Sequence, residues 1–97
     1  MQFTQVIDVE AGDANAVAQQ LAAWHAEQHG VAPGYQGYRL LLDRDEPRHC
    51  VILVDFTSFE EAQANNERPE TQAWAAKLRE LAGSEPRFLN CDAVAAS

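Results

Sequence analysis

The chain has 97 residues, 46% of them hydrophobic, with a formal net charge of -8 and a pI near 4.6. That is the size of one domain, residues 1–97, with too much apolar content for a disordered chain, and its acidity repels nucleic acid and anionic membranes, so neither is expected as a partner. No apolar run approaches the about 18 residues of a membrane helix, Met1–Gln5 lacks a basic-then-apolar leader, and two cysteines, Cys50 and Cys91, are too few for a disulfide framework, so a cytoplasmic protein with reduced thiols is expected.

The first strand is predicted over Phe3–Val9, where Val6, Ile7 and Val9 favour extended backbone. Ala11-Gly12-Asp13 is a turn. Asp13 is a suitable N-cap for a helix over Ala14–His29, which Gly30 stops. Ala14, Val17, Leu21, Trp24 and Gln28 recur at steps of three and four and share a face. Ala18 and His25 flank that stripe, while Gln19, Gln20 and Glu27 are expected to point away. Pro33-Gly34 breaks the chain before a second strand, Tyr35–Asp43, in which Gly37 allows a bulge or a close ligand approach.

Asp43–Arg48 is a polar connection of hairpin length, with Arg48 and His49 read as solvated. The strand His49–Phe56 follows, and its four consecutive apolar residues, Val51–Val54, suit a strand buried on both faces. Ser58 and Glu61 form a capping-box pattern for a helix that runs to Asn66. Pro69 breaks that helix and starts a second piece, whose apolar face is Trp74, Leu78 and Leu81. The last strand is predicted over Phe88–Val94.

The order β-α-β-β-α-β is the ferredoxin-like split arrangement, an α+β fold with an antiparallel sheet and helices on one face. Right-handed crossovers place the first strand between the third and fourth. Cys50 and Cys91 would then lie roughly 10 Å apart, too far for a bond. The second sheet face is apolar at Leu40–Leu42 and Val51–Val54. A homodimer that buries it is the expected assembly.

The residues that could carry chemistry each have a plain structural alternative. Trp24 and Trp74 either fill the core or wall a flat pocket between helices and sheet. His25, one step off the apolar stripe, could reach the sheet edge, whereas His29 suits a solvated helix C-terminus. Tyr35 and Tyr38 have opposite parity on one strand, so one of them should face the helices. Asn65 and Asn66 precede a helix break, where unpaired backbone groups gather. There is no GxGxxG, Walker loop, HExxH or CxxC in the sequence, and the histidines lack metal-site spacing. No cofactor and no metal are expected.

Ala32-Pro33-Gly34-Tyr35-Gln36-Gly37-Tyr38, followed by Val51–Phe56 and Thr57-Ser58-Phe59-Glu60-Glu61-Ala62, resembles the antibiotic biosynthesis monooxygenase family. In that family a similar proline-glycine segment opens the second strand, and a strand ending in an aromatic leads to a serine-capped helix. The resemblance implies a ferredoxin-like chain that dimerises into an α/β barrel, with a small cavity between sheet and helices in each subunit. It also implies, for some members, oxidation of polycyclic phenols by dioxygen without metal or flavin. Here His25, Tyr35 and Tyr38 would be the catalytic candidates, and Trp24, Tyr38, Asn65 and Trp74 the binding residues for an aromatic or polyketide-like molecule. A haem-degrading branch uses an asparagine on the first strand and a tryptophan and a histidine on the second helix; this chain has Trp74 but neither the asparagine nor the histidine, which disfavours haem degradation. The alternative is a non-catalytic α/β-barrel dimer that binds a small ligand or serves in a stress response.

Overall fold

The computed structural model describes residues 2–97. Met1, the start of the segment read for a leader, lies outside them. The elements are β1 (Phe3–Glu10), α1 (Ala14–Gln28), β2 (Tyr35–Leu42), β3 (His49–Phe56), α2 (Phe59–Asn66), α3 (Pro69–Leu81) and β4 (Arg87–Asp92). The four strands form one antiparallel sheet in the order β2-β3-β1-β4. The fold is the expected ferredoxin-like α+β arrangement, with the second helix in two pieces.

The local signals act as chemistry dictates. The Asp13 carboxylate caps α1 by accepting from the backbone N–H of Asn15 and Ala16, worth about 1 kcal/mol. Ser58 Oγ accepts from the Glu61 N–H at the start of α2. Pro69 opens α3 at the position where its missing N–H costs nothing. Gly34 has φ +65, and a Cβ there would fall 2.5 Å from the Glu61 Cβ, so only glycine fits between β2 and α2. The last strand ends at Asp92, short of the expected Val94, which is 84% exposed.

Side chains of β3 alternate strictly. Cys50, Ile52, Val54 and Phe56 are buried under the helices, while His49, Val51, Leu53 and Asp55 face the other way and are half-buried. Phe3, Ile7 and Val9 of β1 join the helix-side core, and α1 adds Val17 and Leu21, with Leu78 from α3. Each such large side chain contributes roughly 1.5–3 kcal/mol on burial. Gln20, expected to point outward, instead donates from Nε2 to the Trp74 carbonyl at 2.9 Å and ties α1 to α3. Cys50 and Cys91 are both free, one buried and one exposed. Burial raises the Cys50 thiol pKa.

Among the described residues, no helix lies on the opposite sheet face. It carries Val6, Leu53 and Leu89 in one cross-strand row, which Arg39 continues on β2, and Val51 beside Leu41. One end of that face is charged, and there the expectation of a solvated His49 fails. His49 Nδ1 bonds the Asp43 carboxylate at 2.9 Å, and Nε2 bonds the Asp8 carboxylate. Arg48 remains exposed and pairs with Glu10. The antiparallel register brings Asp8 and the Asp43 turn to either side of His49, a juxtaposition with no signature in a linear sequence.

Bonds to Asp43 and then Asp8 raise the His49 pKa, and the bond to His49 lowers that of Asp43. The contribution of a raised histidine is full below its ordinary value and is lost as pH rises through its folded value. The contribution of a lowered carboxylate is present above its ordinary value and is lost on acidification. The pair is therefore most stabilising from about pH 4 to about pH 6.5. Urea unfolding should give a midpoint that falls between about pH 6 and about pH 9, and His49→Gln should flatten that fall. An equally steep fall in the variant would show that His49 does not couple to folding.

Candidate functional site

The helices and the sheet leave a cavity of about 480 Å³ between them. Trp24 from α1, Tyr38 from β2, Asn65 and Asn66 from α2, and Trp74 from α3 line it, with Gln5 and Phe88 from the sheet. Phe88 brings β4 to the cavity, and the residues of that strand are all exposed. The volume lies within the range typical of small-molecule sites.

A bulge in β2 sets the tyrosines. Tyr35 pairs with Phe56 and Gly37 pairs with Asp55, so Gln36 is an extra residue. The expectation that only one tyrosine faces the helices is corrected: the extra residue resets parity and both rings turn to that side. Tyr38 lines the cavity. Tyr35 is buried behind it, edge-on to Trp24 with ring centroids 4.8 Å apart. Its hydroxyl lies 2.7 Å from His25 Nδ1. Burial, more than the neighbouring Tyr38 and Asp55, pushes the Tyr35 pKa up to about 12. The phenol thus keeps its proton, and when the imidazole is in its Nε2–H tautomer the phenol O–H donates and Nδ1 accepts. Neither His25 nor Tyr35 is on the cavity wall.

The break between α2 and α3 supplies the polar part of the wall. Asn65 is 2% exposed. Its Oδ1 accepts from Thr71 Oγ1 at 2.9 Å and from Arg68 Nη1 at 3.5 Å. Arg68 can only donate, which fixes the amide orientation and leaves Nδ2 as the group Asn65 can offer. Thr71, Gln72 and Arg79 add a hydroxyl, an amide and a guanidinium to the same cavity. Arg79 is also held by Glu85 at 3.0 Å. The indole N–H groups of Trp24 and Trp74 and the Oε1 of Gln20 are buried without hydrogen-bond partners, a cost of about 1–3 kcal/mol each.

The binding candidates Trp24, Tyr38, Asn65 and Trp74 therefore meet at one cavity, and the catalytic candidates divide, Tyr38 on the wall and His25 with Tyr35 behind it. Gln5, Thr71, Gln72, Arg79 and Phe88 are wall residues that sequence reasoning missed. Thr71 alone had a signal, lying three residues before Trp74 and seven before Leu78 on one helical face. Gln5 and Phe88 arrive from β1 and β4, and only the folded sheet places them there. The wall carries no carboxylate or histidine among the described residues; its ionisable groups are Tyr38 and Arg79.

Solved structures share this fold. SnoaB, a cofactor-independent oxygenase from Streptomyces nogalater, is 21% identical, with 98% of this chain and 95% of that one covered and a TM-score of 0.79. Rv0793 from Mycobacterium tuberculosis is 13% identical over 100% of this chain and 99% of that one, also at 0.79. A conserved protein from Methanosarcina mazei is 12% identical over 94% and 91%, at 0.74. Curated protein sequences give no match. The family model for antibiotic biosynthesis monooxygenases matches residues 4–77, most of the chain. That match, together with a sheet, helix break and cavity arranged as described, places the chain in the antibiotic biosynthesis monooxygenase family.

Proposed function

We propose that the cavity binds a flat, oxygen-bearing aromatic molecule and promotes its oxidation by dioxygen without a cofactor. The observation that carries this reading is the cavity wall itself: two tryptophans and a tyrosine facing a fixed amide donor. Trp24, Trp74 and Tyr38 would hold the rings, as aromatic walls hold planar ligands. Asn65 Nδ2 would donate to a substrate oxygen and favour its anion. The substrate proton leaves to solvent, the delocalised anion passes one electron to dioxygen, the radical pair recombines to a peroxide anion, and that anion takes a proton back from solvent and loses water to leave a quinone. The protein supplies orientation, exclusion of water and stabilisation of the anion. SnoaB, described as a cofactor-independent oxygenase, shares the fold and supports the reading. His25 and Tyr35 would act from behind the wall by fixing Tyr38 and Trp24.

One observation favours a second reading, a binding protein without turnover: the wall offers no histidine or carboxylate to take the substrate proton. Oxygen uptake with a panel of reduced polycyclic phenols separates the two. Uptake above the protein-free rate is expected. Asn65→Asp keeps the acceptor for Thr71 and Arg68 but removes the donor, and should cost about 100-fold in turnover. Phenol binding without uptake across the panel would establish the second reading instead.

The uncovered sheet face completes the proposal. Leu41 and Leu89, on the edge strands β2 and β4, are 43% and 40% exposed, and an apolar patch of this kind marks an interaction surface. A second copy would cover it about a two-fold axis. Light scattering at micromolar protein should give the mass of two chains, and Leu53→Glu should give that of one. A single-chain mass for the unaltered protein would refute the dimer.

A further inference from the structure

The cavity is not the end of the aromatic cluster. Trp74 and Trp24 line it with ring centroids 6.1 Å apart. Trp24 meets Tyr35 at 4.8 Å. Tyr35 is hydrogen-bonded to His25 at 2.7 Å, and His25 stacks at 4.8 Å on the exposed His29. Both ring–ring steps lie within the 4.5–7 Å spacing of aromatic side chains in contact. The series runs continuously from cavity to surface and ends in a phenol bonded to a base.

That ending has a chemical meaning. Indole and phenol rings are the aromatic side chains most easily oxidised by one electron. An oxidised phenol becomes strongly acidic, so losing the electron is easy only where a base can take the proton at once. Tyr35 is buried, and His25 Nδ1 is the acceptor the structure gives it. Burial also holds the Tyr35 proton firmly in the resting state, so the base matters all the more. The rings of Tyr35 and Tyr38 both lie 5.6 Å from that imidazole between centroids, and of the two it is Tyr35 that bonds to it.

We propose that Trp74, Trp24, Tyr35 and His25 form a relay that carries a one-electron oxidising equivalent out of the cavity to Tyr35 at the start of β2, with its proton passing to His25 in the last turn of α1. The oxidant is an oxygen-centred organic radical, of the peroxyl class, formed in the cavity. It takes one electron from Trp74 and one proton from solvent and leaves as a hydroperoxide. The resulting hole passes from Trp74 to Trp24. Tyr35 then gives its electron to Trp24 and its O–H proton to His25 Nδ1, leaving a neutral tyrosyl radical and an imidazolium. A solution thiolate returns the electron and becomes a thiyl radical, while the proton returns from His25. The biological use rests on the oxygenase reading: a substrate radical that escapes recombination with superoxide adds dioxygen and becomes the peroxyl oxidant; the relay itself does not rest on it.

Pulse radiolysis with azide radical, which oxidises tryptophan, tests the relay without substrate or dioxygen. The tryptophanyl signal should decay as the tyrosyl signal rises, first order and independent of protein concentration. Tyr35→Phe should abolish most of the tyrosyl yield, and Tyr38→Phe should leave it intact. His25→Leu should slow the transfer at least about tenfold at unchanged initial tryptophanyl yield. Near-UV circular dichroism confirms the fold of each variant. Should Tyr35→Phe not fold, Trp24→Phe replaces it and should slow the transfer from Trp74 by removing the intermediate ring. A tyrosyl yield that survives Tyr35→Phe, or a rate unchanged in His25→Leu, overturns the relay. Because azide radical supplies the hole, failure here leaves the oxygenase reading standing, and absence of phenol oxidation leaves the relay standing.

Discussion

The structure depends on one constraint: a four-stranded sheet whose helices all lie on one side. Every residue of β3 is assigned by it. Cys50, Ile52, Val54 and Phe56 go under the helices, and Val51 and Leu53 go to the bare face. Because side chains alternate, this assignment cannot slip by one residue without turning the core outward. The same constraint sets the cavity on the helix side, where side chains from β1, β2 and β3 converge with those of α1 and α3. It also leaves an apolar surface on the other side, which links the fold of one chain to the proposed assembly of two.

Two local departures from regularity create the site. The extra residue Gln36 turns Tyr35 and Tyr38 to the same side, so one ring reaches the cavity and the other lies behind it against His25. The break before Pro69 divides the second helix, and Asn65 sits at the end of the first piece with its amide pinned by Thr71 and Arg68. A regular strand and an unbroken helix would provide neither arrangement. A bulge beside a functional cavity is a common device for re-aiming side chains.

Much of this was legible in the sequence, and for physical reasons. Caps, turns and breaks are local: Asp13, Ser58, Pro69 and the glycines act on neighbours within a few residues, and each element followed from them. Trp24 and Trp74 were legible because a 3.6-residue period places them on inner helix faces. What was not legible depends on pairing between distant segments. Parity along β2 failed because Gly37 signals that a bulge is allowed, without fixing which residue is extra. His49 was misread because its two carboxylate partners, Asp8 and Asp43, come from different segments. Gln20 was misread because α3 approaches α1 closely enough to use an amide that periodicity placed outside. Arg79 and Phe88 entered the site only through tertiary packing.

The central claim is that a flat aromatic molecule lodges between sheet and helices against the paired indoles. Proton–proton contacts between the protein and a bound polycyclic phenol, read by nuclear Overhauser effects, test it most directly. The account predicts contacts to the ring protons of Trp24, Trp74 and Phe88 and to the amide protons of Asn65. Contacts confined to Val6, Leu41 and Leu53 would place the ligand on the bare sheet face and contradict it.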